Sequence, residues 1–301
     1  MDASRPTPAP RRLHLVDGTY ELFRAHFSKR PSRVDPAGRD VKATVGLVSS
    51  LLALLDDAEE AVTHLAVAFD RPIESWRNRA FDGYKSSDGV DPALLDQLEG
   101  AEEAVRSLGI HVWRCEEQEA DDQLASAAVQ LADQVDQVRV LTPDKDLAQV
   151  VTGSRIVQVD RSRGTVRDEA AVVERFGVVP AAIPDLLALV GDDADGIPGV
   201  PGIGARSAAA LLGRYLRLED IPTDPEEWEV TVRGAARLSA ALESHREDAL
   251  TYRRLTRLAT DLDLGVGLAA LAHAGVPRDA FLAWCETVGA ARLRERPTRW
   301  A

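Results

Sequence analysis

Five short aliphatic or β-branched runs alternate with helix-length segments along the first 160 residues. That alternation limits the fold more than any other feature of the chain. The runs are RLHLVD (12–17), HLAVAFD (64–70), IHVWR (110–114), VRVLT (138–142) and RIVQV (155–159). Between them, the spacing of Val45, Val48, Leu51, Leu52 and Leu55 predicts a helix over 42–56. Pro92 at a first turn and Gly109 just past an end predict another over 92–108. Helical stretches are also expected around Tyr20 to Phe27 and from ADDQLASAAVQLADQV onward. Such connections feed parallel strands, so the expected fold is α/β, a mostly parallel central sheet with helices on both faces. From about residue 168 the chain reads as largely helical, with no repeat of solenoid period.

Three of these strands run into acids. The first ends in Asp17 and the second in Asp70, and the fourth leads into Asp144 and Asp146, which flank Lys145. A strand that only had to turn a corner would use Gly, Asn or Pro. Glu119, Asp121 and Asp122, in EEQEADD, follow the third strand at a helix start, where Glu119 and Asp122 share a face. Ligands of open parallel sheets bind outside the carboxyl ends of the strands, so at least these seven carboxylates are expected at one edge. Taken singly, an Asp after a strand is most often a turn residue or a cap, and acids favour helix N-termini anyway. Capping does not account for the joint pattern. So much negative charge in a partly desolvated cleft requires compensation. All-oxygen ligands without Cys or His favour Mg²⁺ or Mn²⁺ over zinc, with Lys145 as a local counter-charge.

The bulk numbers constrain partners less than arrangement does. With 301 residues the chain can form one large domain or two. A net charge of −13 and a pI near 5.0 oppose phosphate binding in bulk. Acid packed into one site with arginines arrayed elsewhere is nonetheless compatible with a polyanion. Only four of the 36 basic residues are lysines, at 29, 42, 85 and 145, which makes each one informative. Cys115 and Cys285 have no ligand-like spacing and suit a reducing cytoplasm, against a disulfide scaffold or zinc ribbon. No apolar run is long enough to span a membrane. The opening MDASRPTPAPRR reads as a disordered tail, since it lacks the apolar region of a signal peptide.

Further on, GDDADGIPGVPGIGARSAAALLG (191–213) has the form of a helix–turn–helix in which Gly202 and Gly204 allow close backbone approach. The amides of the following helix start then face outward, where a phosphate can sit, and Arg206 adds a charge-assisted bond. A GxG before a helix is a weak signal alone. Asp192 and Asp195 just upstream raise its value, because they extend the acidic cluster.

LVDGTYELFRAHF, the FD at 69–70, the EADD run, the DKD run and GDDADGIPGVPGIGARSAAALL resemble, in order, the motifs of the 5′-nuclease superfamily. That superfamily comprises flap endonucleases and the 5′→3′ exonuclease domain of bacterial DNA polymerase I. The resemblance covers about residues 13–265, including YRRLTRLATDLDL, and nothing after 222 resembles a polymerase domain, so the chain looks like the stand-alone form. It implies a PIN-like sheet domain over 13–185 with a helical arch near 78–95. A C-terminal helical, DNA-binding region over 186–301 would contain a helix–three-turn–helix, and 1–12 would be tail. It further implies a monomeric, cytoplasmic, nucleoid-associated enzyme of primer removal and repair, acting on duplex DNA with a 5′ flap, nick or gap.

Residue by residue, the resemblance implies that Asp17, Asp70, Glu119, Asp121 and Asp122 hold one metal, directly or through water. Asp144, Asp146, Asp192 and Asp195 would hold or orient a second. Lys85, in GYKSS, sits where the family has a catalytic lysine, and Arg77 would support it. Arg24 would contact substrate near the first strand, and Gly202, Gly204, Arg206 and Ser207 would grip the duplex. Tyr84 would stack on a base or pack its own arch, and Arg77 reads equally as surface charge. Family members also hold K⁺ through backbone carbonyls of the helix–three-turn–helix. One departure is clear: Asp88, Asp91 and Asp96 stand where arch arginines are expected. Among rivals, a phosphatase of the haloacid dehalogenase type is excluded because Leu15 occupies the nucleophile position. Asp17-Gly18-Thr19-Tyr20 supplies no GxGxxG loop, which argues against a dinucleotide dehydrogenase. A PIN-type ribonuclease and a catalytically silent DNA-junction binding protein remain as alternatives.

Overall fold

In the computed structural model, which describes residues 10–301, six strands form one sheet in the order β3-β2-β1-β4-β5-β6. They are β1 (Arg12–Asp17), β2 (His64–Asp70), β3 (His111–Cys115), β4 (Gln137–Leu141), β5 (Ile156–Asp160) and β6 (Thr165–Arg167). Every pairing is parallel except β5 with β6. The mostly parallel sheet is therefore as expected, within a residue or two at each strand. The sixth strand was not expected, because three residues are too few to show a period of two. Of the expected tail, residues 1–9 lie outside the described residues, and Arg12 already belongs to β1.

The helices are α1 (Gly18–His26), α2 (Lys42–Leu55), α3 (Trp76–Ala80), α4 (Pro92–Leu95), α5 (Leu98–Ser107) and α6 (Ala120–Leu131) in the sheet-bearing part. There follow α7 (Glu169–Phe176), α8 (Ile183–Val190), α9 (Ala205–Tyr215), α10 (Ala235–Ser244), α11 (Arg246–Thr256) and α12 (Arg278–Thr287). Alternate strand residues supply the two faces. Val16, Val67 and Val157 pack with α1, α2 and α5 on one side, and Leu13, Leu15, Ala66 and Val138 pack with α6 on the other. A third cluster, including Leu187, Leu211 and Leu238, is the core of the helical lobe built from α7 to α11. After α11 the chain returns to the sheet. Leu268 and Leu271 join one face and Phe281 the other, so the helical lobe does not extend over the whole of 186–301. Among the described residues no helix is long and apolar enough to cross a membrane.

The helix expected over 92–108 is broken at Asp96 and Gln97 for an identifiable reason. The buried Gln97 side chain turns away from its own helix. Its Oε1 accepts the backbone N–H groups of Ala43 (3.0 Å) and Thr44 (3.1 Å), and its amide donates to the Ala93 carbonyl. Two orphan donors of the α2 N-terminus are thereby satisfied by a residue 54 and 53 positions away. The arch segment between α3 and α4 is loop, fixed by Ser87 on Glu74 and by Asp91 on His26. Replacing Gln97 with Ala leaves those amides buried and unpaired, so Gln97→Ala is expected to cost about 1–3 kcal/mol in urea unfolding.

Candidate active site

Because β1, β2 and β4 are neighbours and parallel, their carboxyl ends share one rim. Asp17 ends β1 and caps α1, accepting the Tyr20 N–H (2.8 Å) on one oxygen and the Thr142 hydroxyl (3.1 Å) on the other. Asp70 ends β2 and accepts the Ala120 N–H at the start of α6 (2.7 Å), while its own N–H donates to the Thr19 hydroxyl (2.9 Å). Together with Glu119, Asp121, Asp144 and Lys85 these groups line a cleft of about 310 Å³.

A second group adjoins it. One carboxylate oxygen from each of Asp146, Asp192 and Asp195 lies within 4.8 Å of the others, and all three residues are buried. Asp146 Oδ1 is buried with no hydrogen-bond partner among the described residues. An all-oxygen triad with an orphaned anionic oxygen fits a hard divalent cation. The ammonium of Lys85 lies 2.9 Å from Asp195 and 3.2 Å from Glu119 and so spans the two groups. Lys145 pairs with Asp192 at 2.5 Å. The loop that carries Lys85 is tied down by its N–H on the Asp195 carbonyl. The contact is so close that a Cβ at Gly196, where φ is +73°, would fall 2.0 Å from the Gly83 carbonyl oxygen.

Crowding shows in the protonation of the acids. Burial, reinforced by Asp70 and Asp144, pushes the Asp17 carboxyl up to about 7. Burial and then Asp144 and Asp17 hold Asp121 well above the usual range, and burial with Asp144, Asp195 and Asp192 does the same to Asp146. Burial alone would discharge Lys85, but Glu119, Tyr84 and Asp195 outweigh it and keep the ammonium protonated. Two lysines facing so many acids leave the site short of positive charge.

The structure separates the expected site residues. Asp17, Asp70, Glu119, Asp121 and Asp144 meet in the cleft, and Asp146, Asp192 and Asp195 meet beside it. Asp122 does not join them as a free ligand. It is 1% exposed, its oxygens accept from Arg77 at 2.6 and 2.9 Å, and it also takes the Glu119 and Ala259 N–H groups. Arg77, expected to support Lys85 or to be surface charge, is not at the surface. It is buried and donates besides to the Leu255 carbonyl (2.6 Å), so it ties α3 and the end of α11 to Asp122. Tyr84 is also buried, with its hydroxyl on Glu119 (3.2 Å) and its ring in a cluster with Ile197 and Leu255, so it presents no face for stacking on a base. Arg24 is half-exposed and engaged by Glu21 and Ser50. Gly202 (φ +83°), Gly204 and Arg206 are exposed at the start of α9, and Ser207 closes its first turn on the Gly204 backbone. Thr19, Thr142 and Gly196 were missed. The sequence offered one signal for the first, a hydroxyl two positions after a strand-end Asp.

A parallel sheet with a carboxylate-filled rim at its carboxyl edge presents an all-oxygen cluster compatible with metal binding. The chain belongs to the 5′-3′ exonuclease family, matching its N-terminal resolvase-like domain over residues 12–177 and its C-terminal SAM fold over 178–279. A 5′-3′ exonuclease of Aquifex aeolicus is 31% identical over 253 residues, covering 84% of this chain and 83% of that protein. DNA polymerase I of Pseudomonas aeruginosa is 35% identical over 280 residues, but the chain spans only 30% of its length. The fold is similar to that of T5 5′-exonuclease solved with bound zinc, with a TM-score of 0.67 over 92% of this chain and all of that one at 19% identity.

The two kinds of acid make opposite predictions. Asp122→Ala strands a buried guanidinium and is expected to lower stability by about 3–5 kcal/mol. Asp146→Asn relieves repulsion and is expected to raise the melting temperature in chelator. Raised carboxyl pKa values give stability that is complete below the ordinary carboxylate range and is lost as pH rises through the folded values, about 7 for Asp17. The melting temperature in chelator should therefore fall between about pH 5 and about pH 8, and Mg²⁺ should restore it. A flat profile in calorimetry, insensitive to Mg²⁺, contradicts this account.

Proposed function

We propose that this chain is a divalent-metal-dependent, structure-specific 5′ nuclease hydrolysing phosphodiester bonds at 5′ ends, flaps, nicks or gaps of duplex DNA. One observation carries the reading: Lys85 bridges two carboxylate groups, a cleft set of five and a triad of three, at the carboxyl edge of the sheet. Asp17, Asp70, Glu119, Asp121 and Asp144 would hold one Mg²⁺ or Mn²⁺, and Asp146, Asp192 and Asp195 a second. Bound there, such ions supply Lewis acidity, favouring ionised water and neutralising charge on the departing oxygen.

The chain's own groups do the rest. Lys85 stays charged on a flexible stem and directs an ammonium at the place where a scissile phosphate arrives. Thr142 and the Tyr20 amide fix the Asp17 carboxylate, and Thr19 fixes the Asp70 backbone, so the ligand cage is set before substrate enters. The exposed first turn of α9 offers free amides and Arg206 to a duplex phosphate. Carbonyls of the turn before α9 are the proposed K⁺ site. The chain would act as a monomer on the nucleoid, in primer removal and repair.

Lys85→Ala is expected to reduce flap cleavage by about 10²–10³-fold with a much smaller loss of binding. Arg206→Ala should weaken duplex binding and reduce the salt slope by about 1. Both are read from labelled flap substrate, cleavage with Mg²⁺ and binding with chelator. Tight junction binding with no cleavage in Mg²⁺ would favour the silent binding protein.

A further inference from the structure

A second groove is separate from the metal cleft. It has a volume of about 610 Å³ and is lined by Trp76, Gln118, Asp122 and one face of the stretch that ends α11 and follows it, including Arg253, Arg254 and Arg257. It shares a wall with the cleft. Along a single stretch of chain, Gln118 and Asp122 face the groove while Glu119 and Asp121 face the cleft.

Its charges are unusual for a chain with net charge −13. Of the three arginines in the lining, Arg253 is consumed by Asp185 and Glu219. Arg254 and Arg257 are exposed and pair with no carboxylate of the described residues, and their side chains donate no hydrogen bond within them. The Arg254 guanidinium lies 5.3 Å from the Trp76 ring centroid, a cation–π contact that favours this orientation. Asp122 is neutralised by Arg77, so Asp261 is the only carboxylate in the lining that keeps its charge uncompensated. Basic residues in a last helical turn complement the helix dipole. That explains why position 254 is basic. It does not explain why two adjoining arginines, one over an indole and one at the C-cap of α11, both leave their donors unused.

We propose that this groove is a second nucleic-acid site, in which Arg254 and Arg257 bind phosphates of a single-stranded segment leaving the metal cleft past the 118–122 wall. Guanidinium forks suit phosphate oxygens, and a volume of this size falls in the range that encloses a nucleotide-sized ligand. The ligand class is taken from the nuclease reading above, but the site is tested without metal or turnover.

The test measures anisotropy of labelled hexathymidylate in chelator across a salt series, with thymidine 5′-monophosphate as competitor. The double variant Arg254→Ala/Arg257→Ala is expected to bind at least about fivefold more weakly, with a salt slope smaller by about 1.4 for two single-strand phosphate contacts. Arg257→Gln removes an exposed side chain without an internal partner and serves if the double variant fails to fold; it should lose about half of that slope change. Displacement by the monophosphate identifies a mononucleotide-sized site, and resistance to it a site for the continuous strand. Unchanged affinity and slope in both variants overturn the proposal. Flap cleavage with Mg²⁺ is measured on the same proteins. Oligonucleotide binding that needs the arginines in a protein that cleaves nothing would sink the nuclease reading alone.

Discussion

The Arg77 guanidinium joins parts of the chain that are far apart in sequence. It donates two bonds to Asp122 at the start of α6 and one to the Leu255 carbonyl at the end of α11, from a position on α3. Asp122 in turn accepts the Ala259 amide. A pair this deeply buried recovers its desolvation cost only when every donor and lone pair is used, and here nearly all are. Sheet, helical lobe and Lys85 loop are therefore referenced to one rigid contact. The directions of Glu119 and Asp121 follow from it, because Glu119 caps α6 with its N–H on Asp122 and Asp121 immediately precedes Asp122 in the first turn.

Around that contact the acids divide into those whose charge is answered within the fold and those whose charge is not. Asp122, Glu60 and Glu219 have guanidinium partners; against burial, hydrogen bonds from His14 and then Arg139 hold Glu60 down to about 2, and the Arg253 hydrogen bond does the same for Glu219. Asp17, Asp121 and Asp146 have none and are displaced upward. Stability would be served by replacing the second set. Keeping it is the usual mark of a site whose strain is relieved by a ligand.

The sequence disclosed most of the acidic rim and little of what organises it. Parallel topology brings strand ends together wherever the intervening loops wander, so Asp17, Asp70 and Asp144 could be gathered on paper. Asp121 and Asp122 are neighbours, and nothing in EEQEADD says that one opens on the cleft while the other is clamped; that depends on Arg77, 45 positions away, and Ala259, 137 away. Arg77 and Tyr84 looked like surface or substrate-contacting residues for the same reason: their burial is tertiary. The break at Gln97 was hidden because the apolar pattern runs through it, and the residue is spent on capping a different helix.

The acidic net charge and a polyanionic partner are reconciled by position. Exposed arginines that have carboxylate partners, such as Arg79 with Glu117 and Arg214 with Glu229, contribute little field. Arg206, Arg254 and Arg257 are exposed without such partners among the described residues and can meet phosphate at full charge. The cleft is the opposite case, since without cations its carboxylates repel the backbone they are meant to act on. On the nuclease reading, metal and DNA each remove part of the unfavourable potential that the other faces. Linkage then requires that each tighten the binding of the other by the same factor. On the same reading, the acidic site is silent toward nucleic acid until cations arrive, which would confine attack on the strand to the rim where the charge can be reversed.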